Sequence, residues 1–87
     1  MTQHIVEELA ASPPGTIIFE QGLAAMFHRH PSALRRAVAR GELPPPVRML
    51  GRRAWTTDAI VTHMRERQEE AARQQAAMQA KIATHMP

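Results

Sequence analysis

The chain is predicted to be mainly α-helical with one small β-hairpin, and three features predict it. Apolar residues recur at helical spacing in short runs, and each run is closed by proline, glycine or a polar turn. A basic stretch opens on Pro31 and closes on Gly41-Glu42-Leu43-Pro44, the punctuation of a helix that starts and stops sharply. After it, Val47-Arg48-Met49 and Arg53-Ala54-Trp55 flank Gly51, the pattern of two short strands around a tight turn.

Each element has its own warrant. Residues 3–11 read as a short helix with Ile5, Val6 and Leu9 on one face. Isolated helices below roughly 12 residues are marginal, so this one docks either on its own domain or on a neighbouring copy. Ser12-Pro13-Pro14-Gly15 breaks it and forms a linker. Ile17 and Ile18 lead into a second helix over about Glu20–Phe27, whose apolar face is Leu23, Met26 and Phe27. His28-Arg29-His30 is the turn. Pro31 then opens a third helix that runs to about Arg40, with Leu34, Ala37 and Val38 inward and Ser32, Arg35, Arg36 and Ala39 outward. Gly41 suits a left-handed exit. Leu43-Pro44-Pro45-Pro46 is a stiff connector to Val47-Arg48-Met49, which alternates in-out-in as a half-buried strand. Leu50-Gly51-Arg52 is the hairpin tip. Thr56-Thr57-Asp58 caps a last helix, with Ile60, Val61 and Met64 closing the core.

From Arg65 to Thr84 the chain is rich in Ala, Gln, Arg and Glu, all good helix formers. A sparse stripe of Ala71, Met78 and Ile82, with Gln68 and Gln75 between, suits a solvated helix or a self-association helix equally. The order of elements is therefore that of a winged helix-turn-helix with an N-terminal helix and an extended C-terminal helix. Three segments follow: 1–15 as helix and linker, 16–64 as the winged helix-turn-helix domain, and 65–87 as a polar helical tail.

Eighty-seven residues make one small domain with appendages and a modest core. Phe19, Phe27 and Trp55 are the three aromatics and are expected as core anchors, with Met26, Met49 and Met64 filling gaps. With no cysteine, neither a disulfide framework nor a thiolate metal site is possible. No secretory leader pattern and no membrane-spanning apolar run are visible, so a cytoplasmic, nucleoid-associated protein without a membrane partner is expected.

The net charge of +3 is unevenly spread. Residues 1–18 carry Glu7 and Glu8 and total −2; residues 58–87 balance at zero. Residues 19–57 carry Arg29, Arg35, Arg36, Arg40, Arg48, Arg52 and Arg53 against Glu20 and Glu42, a total of +5. Every base in that middle segment is arginine, the side chain that forks onto phosphate and guanine. A clustered basic face on a small domain points to nucleic acid.

From about Ile17 to Met64 the chain resembles the AlpA/excisionase-type branch of the MerR-like winged helix-turn-helix family. The likeness rests on Leu23-Ala24, on Arg40-Gly41-Glu42-Leu43-Pro44, on the wing Pro46-Val47-Arg48, Gly51-Arg52-Arg53 and Trp55, and on the Thr56-Thr57-Asp58 helix start. It departs in the turn, where His28 stands for the usual glycine, in Phe19, where a Ser or Thr cap is common, and in Ala37, where a bulky aromatic often stands. Histidine tolerates the left-handed region better than most side chains, so the turn is feasible.

The resemblance implies that the third helix lies in the major groove of double-stranded DNA, its N-terminal end toward the bases. Ser32, Arg35 and Arg36 then face the groove. The two arginines are adjacent and so about 100° apart, which leaves one to read bases and the other to hold phosphate. Arg29 and His30 are expected at the backbone. Arg52 and Arg53 at the wing tip are expected to reach a minor groove or its phosphates, with Arg48 a further phosphate contact. Arg40 either joins them or caps the helix. Trp55 is expected in the core, and His63 on the surface. His28 and His30 lack the partners for a metal site, and no cofactor is expected.

Among functions, the resemblance favours an excisionase, a recombination directionality factor that coats and bends attachment-site DNA in several copies and steers an integrase. The alternatives are a small transcriptional regulator of a phage or mobile element, a DNA-packaging recognition subunit, and a protein-interaction module. An enzyme is not expected: no phosphate-cradling glycine loop, nucleophile–base pair or paired carboxylates are visible.

Overall fold

The computed structural model describes residues 2–85. The elements follow in the order α1 (Thr2–Ala10), β1 (Ile17–Phe19), α2 (Glu20–Met26), α3 (Pro31–Ala39), β2 (Val47–Met49), β3 (Arg52–Thr56) and α4 (Thr57–His85). Met1, Met86 and Pro87, the ends of the two flanking segments expected from the sequence, lie outside the described residues. The described chain is mainly helical, with one three-stranded antiparallel sheet in the order β1-β3-β2.

The core gathers Val6 and Leu9 of α1, Leu23 and Ala24 of α2, Leu34 of α3, Leu43, Trp55 of β3, and Ile60, Val61 and Met64 of α4. Leu23, Ile60 and Val6 are its largest fully buried side chains. Burying an aliphatic side chain of this size contributes roughly 1.5–3 kcal/mol. α1 docks on its own domain, against α4, so the choice between home and neighbour that its length left open is resolved. The Pro-Gly linker is tied down as well, since the Gly15 N–H donates to the Asp58 carboxylate over 3.1 Å.

The sheet departs from expectation. Ile17, Ile18 and Phe19 are a strand of their own, not a lead-in to α2, and pair with Thr56, Trp55 and Ala54 of β3. Ile18 and Trp55 stand opposite each other on the face toward the core. On the other face Ala54 is fully buried, whereas Ile17, Val47 and Met49 are exposed. β2 was expected half-buried, but Val47, Arg48 and Met49 are all exposed. It is an edge strand with β3 on one side, and Met49 therefore fills no core gap. Phe19 and Phe27 are only half-buried. Phe27 packs on the core edge, whereas the Phe19 ring lies 4.5 Å beneath the Arg52 guanidinium.

Trp55 anchors the arrangement. It is buried, and its indole N–H donates to the Pro44 carbonyl at 2.7 Å, which fixes the connector to the sheet. The hairpin turns on two residues, Leu50 and Gly51, between Met49 and its partner Arg52. Both have positive φ, 54° and 74°, the geometry of a type I′ turn. Asn-Gly is the usual occupant; leucine in the left-handed region is disfavoured by about 1–2 kcal/mol. The arginines expected at the tip stand one step behind it.

α4 starts under a cap in which the Thr56 hydroxyl accepts from the Ala59 N–H over 3.3 Å. The helix then divides. Ile60, Val61 and Met64 are buried, while every residue from Arg65 to Ile82 is exposed. At about 1.5 Å per residue this exposed part extends some 25 Å beyond the body, and the longest dimension of the molecule is 61 Å. Among the described residues, no helix is long and apolar enough to cross a membrane.

Candidate nucleic-acid interface

α2, the turn and α3 set the arginines in place. His28 adopts φ 54°, the left-handed conformation expected of it, and reverses the chain. Pro31 occupies the first turn of α3, as read from the sequence. The cap is a histidine: the Ser32 N–H donates to His30 Nδ1 over 3.1 Å, and the Ser32 hydroxyl lies 2.9 Å from the same nitrogen. Because Nδ1 accepts from the backbone, the neutral ring carries its proton on Nε2, which remains a donor. His30 and Ser32 are thus partly committed to each other, and Ser32 is half-buried.

Leu34, Ala37 and Val38 form the inner stripe of α3, with Leu34 fully buried and the other two half-buried. With about 100° per residue, the direction opposite Leu34 belongs to Ser32, Arg36 and Ala39. Arg36 is exposed, and among the described residues no side-chain partner holds it. Arg35 lies on the flank. It forks onto Glu20 at the start of α2, with Nη2 donating to Oε1 over 3.3 Å and Nε to Oε2 over 3.5 Å. Arg53 of β3 approaches the same carboxylate at 3.8 Å. Glu20 is only 12% exposed, so it is a recessed anion that links α3 to the hairpin.

This linkage borders a cleft lined by Glu20, Gln21, Arg35, Arg48, Gly51, Arg52 and Arg53. Four guanidiniums face one carboxylate there, an excess of three positive charges. Planar forks of this kind match phosphate oxygens. Arg48 also braces the hairpin turn, its Nη1 donating to the Gly51 carbonyl over 3.3 Å.

Of the eight residues expected to bind DNA, Arg35, Arg48, Arg52 and Arg53 converge on this cleft. Arg36, Ser32 and His30 belong to the outward face and capped start of α3. Arg29 lines a separate, more apolar cleft between α3 and α4, with Phe27, Ala33, Ala37, Leu43 and Met64. Arg40 takes the C-cap position of α3, its backbone N–H donating to the Arg36 carbonyl over 3.0 Å, while its side chain pairs with Glu42 at 3.1 Å. Arg40 beside it holds the Glu42 carboxyl below its ordinary range, chiefly by that hydrogen bond.

The exit of α3 is also secured from α4. His63 Nε2 lies 2.8 Å from the Gly41 carbonyl, and Arg67 Nη1 donates to the same oxygen over 3.0 Å. His63 was expected as a bare surface residue; it is half-buried and bonded because Gly41, at φ 79°, turns its carbonyl toward α4. Glu20, Gln21, His63 and Arg67 all escaped sequence reasoning. The first hint for Glu20 is that it is one of two acids, with Glu42, inside a segment that carries seven arginines. Among the described residues, no cluster of His, Cys, Asp or Glu is suited to a metal ion.

Comparisons with protein-family models, characterised proteins and solved structures return no match to this chain.

Proposed function

We propose that this chain is a sequence-specific double-stranded DNA-binding protein, a winged helix-turn-helix of the AlpA/excisionase type. In this reading α3 enters the major groove and Arg36 reads a base edge, most simply the O6 and N7 of guanine. The four-arginine cleft takes a backbone phosphate, and the β2–β3 hairpin is the wing over the adjacent minor groove. One observation carries the reading: an unpaired arginine on the outward face of a capped helix, beside a cleft with three excess positive charges.

A single module of this kind buries only about 600–1,000 Å² on DNA, too little for tight specific binding by one copy. The chain therefore acts in several copies, and the exposed part of α4, with Met78 and Ile82 on its surface, supplies the contact between them. Coating and bending of attachment-site DNA to direct an integrase toward excision is the job that fits a multi-copy binder of this size.

Titration of a duplex by electrophoretic mobility shift tests this. The expected result is a ladder of complexes whose log affinity falls with log salt at a slope of about −0.9 per phosphate neutralised. Met78→Glu with Ile82→Glu is expected to reduce the cooperativity of the ladder while leaving first-complex affinity unchanged. A single saturable complex contradicts the multi-copy role, and an affinity indifferent to salt contradicts DNA binding.

A further inference from the structure

The hairpin tip has a feature that phosphate binding does not explain. Leu50 is 93% exposed, the most exposed of the large hydrophobic residues among those described. It also sits at φ 54°, where asparagine or glycine is favoured and a branched apolar side chain is strained. Folding gains nothing from it, since the side chain has no core to enter. The turn itself is nonetheless held firmly: Arg48 bonds the Gly51 carbonyl, and Arg52 stacks on Phe19 just behind the tip. A strained apolar side chain thus stands at the end of a hairpin whose strands carry Arg48, Arg52 and Arg53 behind it.

We propose that Leu50 is a wedge that inserts into the minor groove and partly unstacks one base step, kinking the duplex. The inference rests on the DNA-binding reading above and adds to it a residue that deforms DNA. Charge favours this occupant: the arginines of the cleft behind the tip would hold a backbone phosphate beside the groove, where an apolar protein pocket would gain little from them. Apolar wedges between base steps kink DNA by roughly 20–90°. Pyrimidine–purine steps yield most readily, so the wedge would also select flexible steps that no side chain reads directly.

The test uses the full chain and a duplex of about 40 base pairs, enriched by the protein from a random pool, with end dyes and 2-aminopurine at successive central steps. Wild type is expected to shorten the end-to-end distance and to brighten 2-aminopurine at one step. Leu50→Asn restores the preferred turn residue, so its melting temperature is expected to equal or exceed that of wild type. Its affinity is expected within about tenfold of wild type, with bend and fluorescence signal both lost. Leu50→Met is expected to retain both. The wedge is overturned if Leu50→Asn bends and unstacks the duplex as wild type does, or if wild type binds with ordinary salt dependence but leaves it straight; DNA binding survives either result. If wild type fails to bind any duplex, both readings fall together.

Discussion

The flank of α3 and its outward face carry the same side chain in adjacent positions, yet Arg35 and Arg36 stand in opposite circumstances. Arg35 is committed to Glu20 together with Arg53, whereas Arg36 projects from the helix with no partner among the described residues. Exposed ion pairs contribute only about 0.2–1 kcal/mol each, so the Glu20 linkage is weak support for stability. What it does supply is position: it joins the start of α2, the side of α3 and strand β3 just behind the hairpin tip. The contrast separates arginines whose posture is prescribed by the fold from one whose posture the fold leaves open.

The strongest way to break this contrast is to release the hairpin. Trp55→Ala removes a buried aromatic and its bond to Pro44, and is expected to cost about 3–5 kcal/mol in a urea or thermal titration. With the hairpin and connector freed, flank and outward face should lose DNA affinity together. Retention of full affinity by a destabilised Trp55→Ala would show that the hairpin has no part in binding.

A gentler change sharpens it. Glu20→Gln keeps the shape but frees Arg35 and Arg53 from their carboxylate. Stability is expected to fall by no more than about 1 kcal/mol. Affinity for non-target DNA should rise and its salt slope steepen by about one phosphate equivalent, since the cleft loses its negative charge. A drop in non-target affinity would mean that Glu20 holds the arginines in their binding posture and that free ones do not bind.

Local elements were legible in the sequence. Pro31 and Gly41 bracket α3 because proline suits the first helical turn and glycine the left-handed exit, and both act within a few residues. The inward stripe Leu34, Ala37 and Val38 follows from helical period alone. What escaped is non-local. β1 has three residues, too few for alternation to appear, and its partner Thr56 is 39 positions from Ile17. The Glu20 carboxylate meets Arg35 and Arg53 across 15 and 33 positions. His63 finds Gly41 only because α4 crosses the end of α3. Residue types showed which groups could pair; only packing decided that Arg35 would be held and Arg36 left free.

The central claim is that Arg36 reads sequence while the flank holds phosphate. The most direct measurement is the affinity of wild type, Arg36→Ala and Arg35→Ala for a selected duplex and for a scrambled one. Arg36→Ala is expected to keep its melting temperature and to lose about 1–3 kcal/mol on the selected duplex, with little change on the scrambled one. Arg35→Ala should weaken both alike and lower the salt slope by about one phosphate. If Arg36→Ala leaves the preference for the selected duplex intact, the outward face of α3 is not the reading surface.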